Sequence, residues 1–206
     1  MDHTQIINYL IQKYDFKTYL EIGVRNPNDN YYKINIQYKE CCDIDNSYGV
    51  VTYHMPSDEM FRIMPLDKKY DIIFIDGMHD ESYVDRDLKN SIKHLNPNGI
   101  ICLHDVVPLY EGTTIKKDKY DDKTGFWNGD VYKSIAKLYG SELDYYTINN
   151  GDSGLGIIKY KEGVINNLNW KCKYKYSYLF DDSKRFPNNI TEEGKKILNV
   201  VEIDNI

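Results

Sequence analysis

Tyr70–Pro108 reads YDIIFIDGMHDESYVDRDLKNSIKHLNPNGIICLHDVVP, and this stretch decides the fold class. Ile72, Ile73, Phe74 and Ile75 form a short apolar run suited to a strand buried on both faces, and Ile100, Ile101, Cys102 and Leu103 form another. Between them Leu88, Ile92 and Leu95 recur at helical spacing, and Asn96-Pro97-Asn98-Gly99 is expected to stop that helix. A strand, a crossover helix and a parallel strand bring two carboxyl ends side by side, where open α/β sheets bind ligands. Those ends carry Asp76, His79, His104 and Asp105.

The α/β alternation extends in both directions. Ile6, Ile7, Leu10 and Ile11 mark the inner face of a first helix, and Thr18–Val24 reads as the first strand. Glu40–Asp45 ends a second strand on acid, and Thr52–Phe61 holds a third strand and a helix start with Ser57 and Asp58 as candidate caps. Asn128–Leu138 reads as a helix with Val131, Ile135 and Leu138 inward, and Tyr145–Ile148 with Leu155–Tyr160 as a closing antiparallel hairpin. Beyond Lys161 the pattern is weak, with a helix expected over Thr191–Val201 and Tyr174, Tyr176 and Tyr178 expected to pack as strand residues or to offer a sugar-stacking face. The expected fold is Rossmann-like α/β, with a mostly parallel central sheet, an antiparallel C-terminal hairpin and helices on both faces. Residues 1–165 are assigned to this domain and 166–206 to a C-terminal extension packed on it.

The 206 residues, 41% of them hydrophobic, suffice for a full core, and the net charge of −6 argues against a grip on phosphate backbones, so no nucleic-acid partner is expected. No apolar run approaches the roughly 18 residues of a membrane span, and Met1–Asp15 is amphipathic rather than a signal peptide. A cytoplasmic chain without membrane contact is expected. Cys41, Cys42, Cys102 and Cys172 lack zinc-site spacing and read as reduced structural thiols.

Glu21-Ile22-Gly23 ends the first strand and Asp43 ends the second about 20 residues later, the spacing of a nucleotide site whose acid holds ribose hydroxyls. Arg25-Asn26-Pro27-Asn28 follows Gly23, so the G-x-G-x-x-G that cradles a pyrophosphate is absent. A ligand without phosphates is favoured over a dinucleotide. A solvated cap is the alternative for an acid in this position.

This order of segments resembles the class I S-adenosylmethionine-dependent methyltransferases, in the small-molecule O-methyltransferase branch of catechol-type and macrolide-sugar-type enzymes. Tyr19-Leu20-Glu21-Ile22-Gly23-Val24 looks like the first motif, Cys42-Asp43-Ile44-Asp45 like the ribose-binding strand end, and Ser57-Asp58-Glu59-Met60-Phe61 like the segment along the adenine. Phe74–His79 with Asp87-Leu88, then Leu95–Asp105, is the most specific match, and Trp127–Lys133 and Gly154–Ile158 resemble late segments of the branch. The resemblance covers roughly residues 19–160.

The resemblance implies methyl transfer from S-adenosylmethionine to a hydroxyl of a small polar acceptor, such as a sugar or glycan precursor, by a chain that acts alone or as a homodimer. It implies cofactor contacts from Glu21, Gly23, Arg25, Asp43, Ser57, Asp58 and Asp76, and an acceptor flanked by Trp127 and Asn128. His79 matches the place of the catalytic base, where the catechol-type enzymes carry lysine, and histidine is better poised at neutral pH. Its alternative is a helix cap or a bond to a loop carbonyl. Asp76, His104 and Asp105 stand as further catalytic candidates, and Asp76 and Asp105 match two magnesium-binding carboxylates. Val106 stands where the pattern expects a third, amide ligand. His3, His54 and His94 read as surface or packing residues. A nicotinamide-dependent oxidoreductase and an inactive binding scaffold are the competing readings.

Overall fold

The structure, a computed structural model, describes residues 1–120, 125–160 and 170–206. Seven strands form one sheet in the order β3-β2-β1-β4-β5-β7-β6. In chain order these are β1 (Thr18–Ile22), β2 (Tyr38–Asp43), β3 (Tyr53–His54), β4 (Tyr70–Ile75), β5 (Leu95–His104), β6 (Tyr145–Ile148) and β7 (Leu155–Lys159). β1 to β5 pair in parallel, whereas β7 runs antiparallel to both β5 and β6. The strand order reverses between β1 and β4 while the strands stay parallel, so the chain exits of these two strands and of β2 and β5 share one edge.

Ile72, Ile73 and Phe74 are fully buried because their strand is covered on both faces. Burying each such side chain contributes about 1.5–3 kcal/mol, so the central run is also the main source of cohesion. One face packs Ile6, Ile7 and Leu10 of α1 (His3–Tyr14) against Tyr19, Ile72 and Phe74. The other face packs α2 (Ser57–Ile63), α3 (Glu81–Lys93) and α4 (Tyr132–Ala136) against Leu20, Ile73 and Ile101. α5 (Tyr176–Leu179) and α6 (Glu192–Ile197) add Leu179, Phe180, Ile197 and Leu198 to this second core. The boundary expected at residues 165 and 166 lies outside the described residues.

Several local expectations are corrected. α3 ends at Lys93, and Leu95 is the first residue of β5, paired with Tyr70, so Asn96–Gly99 belongs to the strand. A Cβ at Gly99 would lie 2.9 Å from the Asn96 carbonyl and 3.0 Å from that of Asp71, so glycine lets the strands close there. Pro56, not Ser57 or Asp58, is the N-cap of α2, without a side-chain cap bond. α4 begins four residues after Asn128, because the backbone N–H groups of Asn128 and Gly129 donate to Thr113 and that of Asp130 donates to His79. Tyr176 and Tyr178 lie in α5 rather than a strand, and Tyr176 stands edge-on to Tyr132 at 6.0 Å. Thr191 caps α6 through the Gly194 N–H, as its position before Glu192-Glu193 expects, but the helix stops at Ile197.

Candidate active site

Sequence-distant residues meet at the exits of β4 and β5. Asp76 follows β4, His79 lies three residues on, His104 ends β5 and Asp105 follows it. Asp105 is buried and holds φ +60°, a left-handed backbone conformation unusual for a residue with a side chain. Such local strain clusters at functional sites. Here it places the carboxylate between two imidazoles: Asp105 Oδ2 lies 3.2 Å from His79 Nδ1 and 3.5 Å from His104 Nδ1. Asp76 Oδ1 completes the group, 3.3 Å from His79 Nε2 and 3.3 Å from His104 Nδ1.

The hydrogen bonds fix the charge. His79 Nδ1 also faces the Trp127 carbonyl at 2.9 Å, and His104 Nε2 faces the Asp152 carbonyl at 3.0 Å. Every partner of the four ring nitrogens is an acceptor, so both rings are held as imidazolium. Burial alone would lower the His79 pKa, but Asp105 and Asp76 outweigh it and push it up to about 9. His104 likewise stands well above the usual histidine range, since Asp105 and Asp76 overcome its burial. In turn, burial would raise Asp76, but His104 and His79 hold it well below the usual carboxylate range.

Residues 127–129 brace this group. Asn128 is 3% exposed, and its amide nitrogen donates to Asp105 Oδ1 at 2.5 Å and to Ser153 Oγ at 2.9 Å. An amide therefore does reach Asp105 despite Val106, but its oxygen accepts from the Leu109 N–H. The Trp127 ring stacks on His79 with centroids 4.9 Å apart, and Tyr120 stacks on Trp127 at 5.5 Å. Gly129, at φ +59°, presses against His79, where a Cβ would lie 1.9 Å from the His79 carbonyl.

The residues assigned to the cofactor stand at the neighbouring exits of β1 and β2. Gly23 has φ +86° and abuts the Asp76 backbone. Asp43 Oδ2 accepts from the Val24 and Arg25 N–H groups at 2.7 and 2.8 Å, and Oδ1 accepts from Asp45 at 2.9 Å. The acid that ends β2 thus pins the turn after Gly23, and about one of its four acceptor positions is left for a ligand. Ile44 beside it is 71% exposed, an apolar surface at the rim. Arg25 projects into solvent and pairs with Asp29 at 3.4 Å. Asp58 pairs with Arg86 at 3.0 Å, and Ser57 bonds Asp87, whose carboxyl is pushed up to about 6 chiefly by burial. Glu21 is buried under Tyr19 and Asn30, whose hydroxyl and amide donate to it at 2.5 and 2.8 Å, and burial raises it to about 8.

One oxygen or nitrogen each from Asp76, His79 and Asp105 lies within 4.8 Å of the others, so this group can hold a divalent cation. A second group, His3, His104 and Asp152, has the same compactness. His3 and Asp152 were not singled out in the sequence. The buried His94 faces the Lys68 carbonyl, the exposed His54 faces that of Ile44, and His3 packs its ring on Phe74 while its Nδ1 faces Asp152. Asp152 sits in the hairpin loop, where its spacing carries no signal.

A family profile described as a methyltransferase domain matches residues 37–106. No curated protein matches the chain significantly. Among solved structures, the O-methyltransferase of Bacillus cereus in complex with SAH is 16% identical over 78% of this chain and 82% of that one, with a TM-score of 0.55. The SAH-bound methyltransferase PaMTH1 of Podospora anserina is 20% identical over 77% of each chain, with a TM-score of 0.53. TomG of Streptomyces achromogenes, an O-methyltransferase of tomaymycin synthesis in complex with SAM, is 12% identical over 77% and 79%, with a TM-score of 0.54. The chain has the class I O-methyltransferase fold, and residues 37–106 are the part of it that matches the methyltransferase domain.

Proposed function

We propose that this chain transfers a methyl group from S-adenosylmethionine to a hydroxyl of a small polar acceptor, a sugar or glycan precursor. The observation that carries the proposal is the closed group of Asp76, His79, His104 and Asp105 beside the β1 and β2 exits. The donor set fits the cofactor. Asp43 keeps an acceptor position for a ribose hydroxyl, exposed Ile44 offers an apolar surface to the purine, and no glycine-lined phosphate cradle is needed. When bound, S-adenosylmethionine supplies an electrophilic methyl on a sulfonium.

The chain's own residues must then align the acceptor and take its proton. His79 is the base in this reading. Its imidazole accepts only after losing the proton that Asp76 and Asp105 stabilise, so the reactive form is a minority at neutral pH but a stronger base than free imidazole. Trp127 fixes the ring plane, and Asn128 fixes Asp105 from behind. Two carboxylates and an imidazole also suit a magnesium ion, which would lower the acceptor's pKa when bound; Asp76 and Asp105 would hold it. A cytoplasmic enzyme completes the reading.

The test is incubation with methyl-labelled S-adenosylmethionine and a panel of free sugars, sugar nucleotides and polyols against phenolic acceptors. Label in an O-methyl sugar supports the proposal. Label confined to phenols contradicts the acceptor class, and no label with any acceptor contradicts the activity.

A further inference from the structure

We propose that His3, His104 and Asp152 form a site for a divalent transition-metal ion of the zinc type, distinct from the Asp76–His79–Asp105 group. The proposal is independent of methyl transfer. The three residues come from the start of α1, the end of β5 and the loop between β6 and β7, and no spacing in the sequence joins them. One ligand atom from each lies within 4.8 Å of the others. His3 Nδ1 is 2.5 Å and His104 Nε2 is 3.9 Å from Asp152 Oδ2. Ligands around a tetrahedral zinc at 2.0–2.1 Å stand about 3.3 Å apart, so shifts of about an ångström would seat the ion.

The placement of the rings supports a built site. His3 stacks on Phe74 with centroids 5.6 Å apart and lies 4.5 Å from the His104 ring. His104 directs Nδ1 at Asp76 and Asp105 and Nε2 at Asp152. A carboxylate on the far nitrogen is what orients metal-ligating histidines, since it keeps that nitrogen protonated and turns the other to the ion. The donor set of two imidazoles and one carboxylate suits zinc, cobalt or nickel, whereas magnesium and calcium prefer oxygen.

Binding balances simply. His104 Nε2 releases its proton to solvent and turns from the Asp152 carbonyl to the ion, His3 Nδ1 gives up to solvent the proton it shares with Asp152 and keeps its other ring nitrogen protonated, and the Asp152 carboxylate exchanges its bond to His3 for the ion. Asp152, whose side chain is 40% exposed, leaves a path for entry and a fourth position for water. Occupancy would staple the first turn of α1 to the hairpin loop across the edge of the candidate active site.

The experiment is a zinc titration of the chelator-stripped full chain against a chromophoric competitor. Wild type is expected to bind zinc through these residues, with affinity about 100-fold lower in His3→Ala and in Asp152→Asn and unchanged in His79→Ala, which dismantles the other group. Cobalt should give a tetrahedral visible spectrum in wild type that His3→Ala loses. His3→Gln replaces His3→Ala if the latter fails to fold. Zinc affinity unchanged in the folded His3 variant, affinity lost in His79→Ala instead, or no zinc bound by wild type would each overturn the proposal.

Discussion

Asp105 Oδ2 lies 3.2 Å from His79 Nδ1, and Asp105 reaches it from a backbone φ of +60°. The carboxylate favours the charged ring, so the His79 pKa is raised to about 9 rather than left near 6.5. Any step that needs neutral His79 should therefore accelerate as pH rises toward about 9 in chelator-treated protein. Removing the carboxylate charge in Asp105→Asn should move that limb to lower pH. Histidine NMR titration read beside the pH–rate profile checks this, and an unmoved limb in Asp105→Asn would contradict the pairing.

His79→Ala should lose about 10²–10⁴-fold in turnover while keeping cofactor affinity, if the imidazole takes the acceptor's proton. If a cation held by Asp76 and Asp105 activates the acceptor, chelator should abolish turnover and magnesium restore it, and His79→Ala should be the milder change. Steady-state kinetics with and without chelator separates the two. Full turnover in His79→Ala with chelator present would contradict both.

Glu21 predicts a pH dependence of stability. Burial raises its folded pKa to about 8, above the ordinary glutamate value of 4.5, so between these values the folded chain holds a proton that the unfolded chain has released. The stability linked to this group is full below about pH 4.5 and is lost as pH rises through about 8. Glu21→Gln, which cannot ionise, should lose less stability than wild type between about pH 5 and about pH 9. Parallel pH dependences in thermal unfolding would show that Glu21 does not titrate in this way.

Gly129→Ala should be far more damaging than an ordinary glycine substitution, because the residue has φ +59° and its Cβ would meet the His79 carbonyl at 1.9 Å. The clash pushes apart the two segments that join Asp130 N–H to His79. A lower melting temperature with a larger fall in turnover is expected. Wild-type melting and turnover would contradict the close packing.

The apolar runs of Ile72–Ile75 and Ile100–Leu103 revealed β4 and β5, since strands buried on both faces read as unbroken hydrophobic stretches. Their polar ends pointed to Asp76, His79, His104 and Asp105 for the same reason. What the sequence hid was tertiary. His3 and Asp152 meet His104 only after the sheet is assembled, and the strand through Asn96–Gly99 overrides turn-forming residues because Gly99 lets β4 approach. The sequence places Asn128 with Trp127 beside the acceptor but carries no sign of its contact with Asp105. Its burial against Asp105 depends on Thr113 and Ser153, which no local pattern links to it.

The most direct test is calorimetric titration of wild type and Asp43→Asn with S-adenosylhomocysteine, beside NAD as the competing ligand. The amide keeps an acceptor for the turn after Gly23 while removing the charge, so a folded variant isolates the ribose contact. The account predicts binding of S-adenosylhomocysteine to wild type, at least roughly tenfold weaker binding to Asp43→Asn, and no binding of NAD. Binding of NAD in its place, or no binding of S-adenosylhomocysteine by wild type, would contradict it.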